Sequence, residues 1–295
     1  MKISDAEKIM AEPTGNHVEK IYIPSLGREV LFRPLSTADV KTLARMNYVD
    51  SFDITLEGLK LSLFDKLCAE DLSDTAVKAE DGTILYPALN AKTITQIDYL
   101  SFLIGIKQMF STDISYTFTC VGCSKKFDHI LHLEKEFAPF IENFKRRTEF
   151  FEKIDERTGH IWKFELTNFQ MVDYLYFKYF MEKLKEDDKD SIEVFFEDQF
   201  VFPILYIKNI WMDDEPIEDW QNISIPEKLT FWNKLPPMVT INNQTDNKND
   251  SLVNYIHSTF DEQALRKHVM NIEITCPHCK KTYKGVYELD NFFIF

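Results

Sequence analysis

Two short motifs constrain this chain more than anything else in it: Cys120-Val121-Gly122-Cys123 near its middle and Cys276-Pro277-His278-Cys279 close to its last residue. Together they use four of the five cysteines. A CxxC turn directs two thiolates at one ion, and two such turns complete the tetrahedral four-cysteine site of structural zinc. The motifs lie 156 residues apart, and their surroundings match at that offset. Phe118 falls on Ile274, Thr119 on Thr275, Phe127 on Tyr283, Ile130 on Val286 and Leu133 on Leu289. Each motif is therefore expected inside a strand–knuckle–strand unit. The gap between the motifs is far longer than in a compact zinc ribbon, but equivalent ends of two related halves can meet across a pseudo-two-fold axis. Cys120, Cys123, Cys276 and Cys279 are the expected ligands of one structural zinc ion per chain. Lys125, Lys126, Lys280 and Lys281, just after each pair, would ease the negative charge of four thiolates.

The alternatives are a metal-free or disulfide-paired arrangement and a redox site. A thioredoxin-type CxxC sits at a helix N-terminus, which lowers the thiol pKa; strand-like residues flank both pairs here. A catalytic zinc keeps an open position with fewer protein ligands, so four matched cysteines argue for a structural ion. With four thiolates available, His278 reads as a solvated turn residue. Cys68 falls on an apolar helix face and reads as core. His129 and His132, three apart on a strand, point to opposite faces and do not form a shared site.

The composition narrows the function. The chain has 295 residues, with 25 Phe against 8 Gly, so an aromatic core is expected and glycine-rich phosphate loops are not. Acids outnumber bases by 48 to 34, for a net charge of −14. Such a surface opposes the phosphate contacts that supply most nucleic-acid affinity, so nucleic acid is not an expected partner. The opening "MKISDAEKIMAEPTGNH" lacks the apolar run of a signal peptide. The stretch "YLSFLIGIKQMF" is broken by Lys107 and too short to span a bilayer, so no membrane association is expected. A cytoplasmic protein is the expectation, and there CxxC pairs are more often metal-binding or redox-active than structural disulfides. The acidic runs at 70–81, 186–190 and 213–219 lack the glycine-turned calcium loop. No phosphate-binding loop, nucleophile elbow or HExxH helix is present, so an enzyme is not expected.

The order of elements reads as α+β in two loosely repeated halves. In the first, "IYIPSLGREVLFRPL" is a hairpin with Gly27 at its turn, and Ser36 or Thr37 caps a helix. Leu56, Leu59, Leu63, Phe64, Leu67 and Cys68 share one helical face, an acidic loop covers 70–92, and Ile97, Leu100, Leu103 and Ile104 mark the next buried stripe. The first knuckle follows. In the second half, Gly159 laid on Gly27 puts Phe164 on Phe32, Trp162 on Val30 and Val172 on Val40. Ser224 and Glu227 form a capping box with Pro226 in the first turn, and a further helix is expected over 251–267. The second knuckle ends the chain, before an aromatic "NFFIF" that reads as core or as a docking segment. The divisions are an N-terminal arm 1–17, a first half 18–140 and a second half 141–295, joined by the four-cysteine zinc site.

Composite order carries a resemblance. An "IPSLG…VLFRPLSTAD" hairpin, an "LFDKLC" helix, "TQIDYLSFLIGIK", "YTFTCVGC", "FWNKLP" and a terminal "CPHCKK…DNFF" follow one another. In this the chain resembles the T4-type bacteriophage baseplate hub subunit family, tail assembly proteins with CxxC knuckles. The resemblance implies a non-enzymatic structural or assembly component of the central baseplate hub of a contractile phage tail. It implies other hub and tail-tube proteins as partners, further copies of the chain in a ring, and a location in the host cytoplasm during assembly and then in the virion tail baseplate. The competing classes are a zinc-ribbon nucleic-acid-binding phage protein and a CxxC thiol oxidoreductase.

Overall fold

The computed structural model describes residues 18–46, 54–86, 88–90, 92–110, 113–132, 148–187, 202–240, 251–260 and 269–288. The N-terminal arm 1–17, residues 261–267 of the expected last helix and the terminal "NFFIF" lie outside them. The architecture is mixed α/β, built on small antiparallel sheets.

Strands β1 (Glu19–Ile23) and β2 (Arg28–Phe32) form the first hairpin. Alternation places Ile21, Ile23, Val30 and Phe32 in the core. Gly27 holds the turn at φ +64°, a conformation glycine adopts without steric cost. Helix α1 (Thr37–Met46) starts from a box in which the Asp39 carboxylate accepts the Ser36 N–H at 2.9 Å and the Ser36 Oγ accepts the Asp39 N–H at 3.2 Å. Helix α2 (Ile54–Leu67) buries Leu63, Phe64 and Leu67; the side chains of Leu56 and Leu59 are outside the description. Cys68 is not on the helix but one residue past it, half-buried and bridged to Phe32. The chain there turns back along β2, where the Ala69 N–H donates to the Leu31 carbonyl at 2.8 Å. The expected acidic loop contains a helical turn, Ser73–Thr75, and a small hairpin of β3 (Val77–Lys78) and β4 (Ile84–Tyr86).

Helix α3 (Gln96–Phe110) is buried on every side from Gln96 to Ile106, not along one stripe. Its fully buried Asp98 accepts N–H bonds from Thr95 at 3.0 Å and Ser25 at 2.8 Å, tying the helix start to the β1–β2 turn. Burial nonetheless pushes the Asp98 carboxyl above its ordinary range, against these hydrogen bonds. Two hairpins complete the sheets outside the main body: β5 (Asp113–Thr119) with β6 (Lys126–His132), and β11 (Val269–Thr275) with β12 (Thr282–Glu288).

In the second half, β7 (Thr148–Ile154) and β8 (Ile161–Thr167) do not stay a simple hairpin. Strands β9 (Ile207–Met212) and β10 (Glu215–Pro216) extend them into a sheet of order β10-β9-β8-β7. Helix α4 (Met171–Asp187) packs on α2 from the first half. Around it Phe169 meets Phe202 and Tyr206 edge to face, with ring centres 5.0 Å apart for Phe169 and Tyr206, and Tyr174 at a tilt. Helix α5 (Ile225–Trp232) begins at the Ser224–Glu227 capping box; the short α6 (Pro237–Thr240) and α7 (Leu252–Phe260) follow. The halves join where Thr95 bridges Gln170 and the Met171 N–H donates to the Ile94 carbonyl at 3.0 Å. A single buried cluster runs from Ile21 through Phe169 and Phe260 to Cys276.

Candidate metal centre

The two CxxC turns meet. The Sγ atoms of Cys120, Cys123, Cys276 and Cys279 all lie within 4.8 Å of one another. Cys120 and Cys279 approach to 3.5 Å, and Cys123 and Cys276 to 3.8 Å. A tetrahedron of thiolates at about 2.3 Å from zinc has sulfur–sulfur edges of about 3.8 Å, so the cluster has the dimensions of such a cage. A disulfide would need about 2.05 Å, and all four thiols are free. Cys120 and Cys276 are buried, at 2% and 0% exposure, while Cys123 and Cys279 are half-buried, so each turn offers one inner and one outer sulfur.

Backbone hydrogen bonds shape both turns alike. The Cys120 N–H donates to the Lys125 carbonyl and the Ser124 N–H to the Cys120 carbonyl, at 2.9 and 2.7 Å. The Cys276 N–H donates to the Lys281 carbonyl and the Lys280 N–H to the Cys276 carbonyl, both at 2.9 Å. Ser124 and Lys280, the residues after each motif, stand at φ +56° and +61°. That left-handed residue returns the chain into the second strand while keeping both sulfurs on one side. Each hairpin stays in register up to the knuckle, with Thr119 opposite Lys126 and Thr275 opposite Thr282.

Sequence reasoning missed one member of the site. The Tyr283 hydroxyl accepts the Gly122 N–H at 2.9 Å and donates to Cys120 Sγ at 3.0 Å. Gly122 has to be small here, because a Cβ would fall 2.6 Å from that hydroxyl and 2.8 Å from Lys281 Cδ. The signal lay in the sequence offset, where Tyr283 falls on Phe127 and differs from it by the hydroxyl. This bond ties the second hairpin to the first before any ion is considered.

The Tyr283 hydrogen bond, opposed by burial and helped by the neighbouring N–H and thiols, lowers the Cys120 thiol to about 6. Cys123 moves the other way. A backbone hydrogen bond from Lys125 favours its thiolate, but burial and the thiols of Cys120, Cys276 and Cys279 push it up to about 11. Donating its hydrogen bond to the Cys120 sulfur, together with burial, holds the Tyr283 hydroxyl up at about 12. Four thiols this close cannot all ionise unaided, and a divalent cation among them removes the conflict by binding the thiolates.

The other sequence candidates are not among the four clustered sulfur ligands. His129 packs its ring on Phe118 at 6.0 Å, and His132 pairs with Asp113 at 2.9 Å. His278 is exposed on the second turn, and the Cys68 thiol donates to the Glu70 carbonyl at 3.3 Å. Lys125, Lys126, Lys280 and Lys281 are exposed beside the knuckles. No described helix is long and apolar enough to cross a membrane.

Fold and site together define a mixed α/β chain with a four-cysteine cluster that could hold a metal ion. No protein-family model, curated protein or solved structure matches it.

Proposed function

We propose that this is a non-enzymatic structural protein whose two hairpins are clasped by one zinc ion on Cys120, Cys123, Cys276 and Cys279, and that it builds the central baseplate hub of a contractile phage tail. The observation that carries the clasp is the meeting of four sulfurs contributed by motifs 156 residues apart. The two knuckles are copies of one unit: strands, turn hydrogen bonds and left-handed residue recur at that same offset. Zinc suits four thiolates in a tetrahedral cage and has no redox chemistry of its own, which fits a clasp rather than a reactive centre. The hub reading rests on the order of sequence motifs, which resembles that of T4-type baseplate hub subunits. Other hub and tail-tube proteins are its partners, with further copies of the chain in a ring, first in the host cytoplasm and then in the tail baseplate.

Co-expression with phage tail proteins tests the hub reading. Co-purification with hub or tail-tube proteins supports it, and a monomer that ignores all of them contradicts it. Salt-sensitive binding to DNA or RNA would instead favour the nucleic-acid class. A disulfide within either CxxC that cycles at cytosolic potential would favour the oxidoreductase.

A further inference from the structure

A cleft of about 600 Å³ opens where the halves meet, beside the Thr95–Gln170 bridge and far in sequence from the cysteine motifs. Arg28 and Asp74 line it from the first half; Thr167, Gln170, Asp173 and Lys228 line it from the second. Its size is that of pockets that enclose small organic ligands or short peptides, and too large for a single ion.

The second-half residues are distinctive in what they leave unbonded. At α1, α3 and α5 an acid three residues past the cap reaches back to it: Asp39 to Ser36, Asp98 to Thr95 and Glu227 to Ser224. At α4 the corresponding residues are Gln170 and Asp173, and the Asp173 carboxylate accepts no hydrogen bond among the described residues. The Lys228 ammonium, one helix away on α5, likewise makes no hydrogen bond among the described residues and stands 5.6 Å from the centre of the Trp220 ring. The side chains of Thr167 and Gln170 beside them also make no hydrogen bond among the described residues. Burial pushes the Asp173 carboxyl up and the Lys228 ammonium down, each partly offset by the other's charge. Opposite charges taken partly out of water without hydrogen bonds are costly, and a ligand that bonds both recovers that cost.

Charge selects the ligand. A purely anionic one would meet Asp173 and a chain of net charge −14; a purely cationic one would sit against Lys228. A ligand that brings one charge of each sign leaves the site neutral, and the Gln170 amide and Thr167 hydroxyl match peptide N–H and C=O groups. We propose that the cleft binds a polar peptide segment of a partner protein with adjacent acidic and basic side chains, the acid on Lys228 and the base on Asp173. Asp74 and Arg28, the latter already paired with Glu70 at 2.9 Å, place a further charge of each sign along the cleft.

The test is calorimetric titration of the full metal-loaded chain with three capped hexapeptides in one Gln/Ser background, carrying adjacent Lys and Asp, two Lys, or two Asp. The mixed-charge peptide should bind saturably and at least tenfold tighter than either of the others. Lys228→Met and Asp173→Asn should each weaken it at least tenfold, with circular dichroism and metal content unchanged. Should either variant fail to fold, Gln170→Ala and Thr167→Val should each weaken it about threefold. Mixed-charge binding that is absent, no tighter than like-charge binding, or undiminished in the folded variants overturns the proposal and leaves Asp173 and Lys228 acting on each other only through charge. Metal content separates this outcome from failure of the clasp, since none of these residues touches the cysteines.

Discussion

Tyr283 joins the hairpins through one oxygen, accepting from the Gly122 N–H and donating to Cys120. Tyr283→Phe keeps the ring and deletes both bonds, so the unfolding midpoint should fall by about 2 °C with metal content unchanged. Gly122→Ala is the harsher change, because its Cβ would sit 2.6 Å from that oxygen. It should speed metal loss to a chelator, whereas Val121→Ala, at an exposed position in the same turn, should not. The thiol shifts fix a pH dependence. Cys120, lowered to about 6 from 9.0, stabilises the metal-free chain above pH 9 and loses that contribution as pH falls toward 6. Cys123, raised to about 11, contributes below pH 9 and loses its part as pH rises through 11. Metal competes with protons for the same thiolates, so chelator competition at pH 8, 7 and 6 should show apparent affinity falling at each step. An affinity flat across that range would exclude thiolate ligands.

Among elements, α3 sets the tightest constraint. Gly105 lets it lie on β1, since a Cβ there would meet three Ile21 side-chain carbons at 2.6 to 2.8 Å. Gly105→Ala should cost about 1–3 kcal/mol in chemical denaturation, and adding Ile21→Val should return part of it. Asp98→Ala leaves the buried Thr95 and part-buried Ser25 donors without an acceptor and should cost about 2–3 kcal/mol. What was legible in the sequence follows from range. The knuckle turns, the hairpin turns at Gly27 and Gly159 and the Ser224–Glu227 cap are set by a few adjacent residues, and the sequence shows them. The joining of β9 to β8, Trp211 opposite Lys163, is a pairing across tens of residues with a register shift at Glu165, and no local pattern encodes it. The α3 stripe was read too narrowly because Gln96, Asp98 and Ser101 look like a solvent face; they are buried at the junction with β1 and the second half. Apolar periodicity runs one residue past the last helical turn of α2, so it carries Cys68 onto a helix that ends at Leu67.

At the scale of the molecule, the aromatic core spans both halves, while among the described residues the knuckle hairpins form strand pairs only within themselves. Folding of the body and closure of the clasp are thus separable. Chelation should leave the near-ultraviolet circular dichroism of the Phe169, Tyr206 and Trp220 region intact, while β11–β12 becomes sensitive to protease. Loss of both signals together would mean that the ion holds the whole fold. The cleft was illegible in the sequence because its walls come from residues 25 to 228, brought together only once the halves dock. The central claim, one ion shared by both knuckles, is tested most directly by native mass spectrometry with elemental analysis of the purified 34.8 kDa chain. It predicts one zinc per chain, lost when either Cys120 and Cys123 or Cys276 and Cys279 are replaced by serine. No metal, two metals, or an ion that survives replacement of either pair would contradict it.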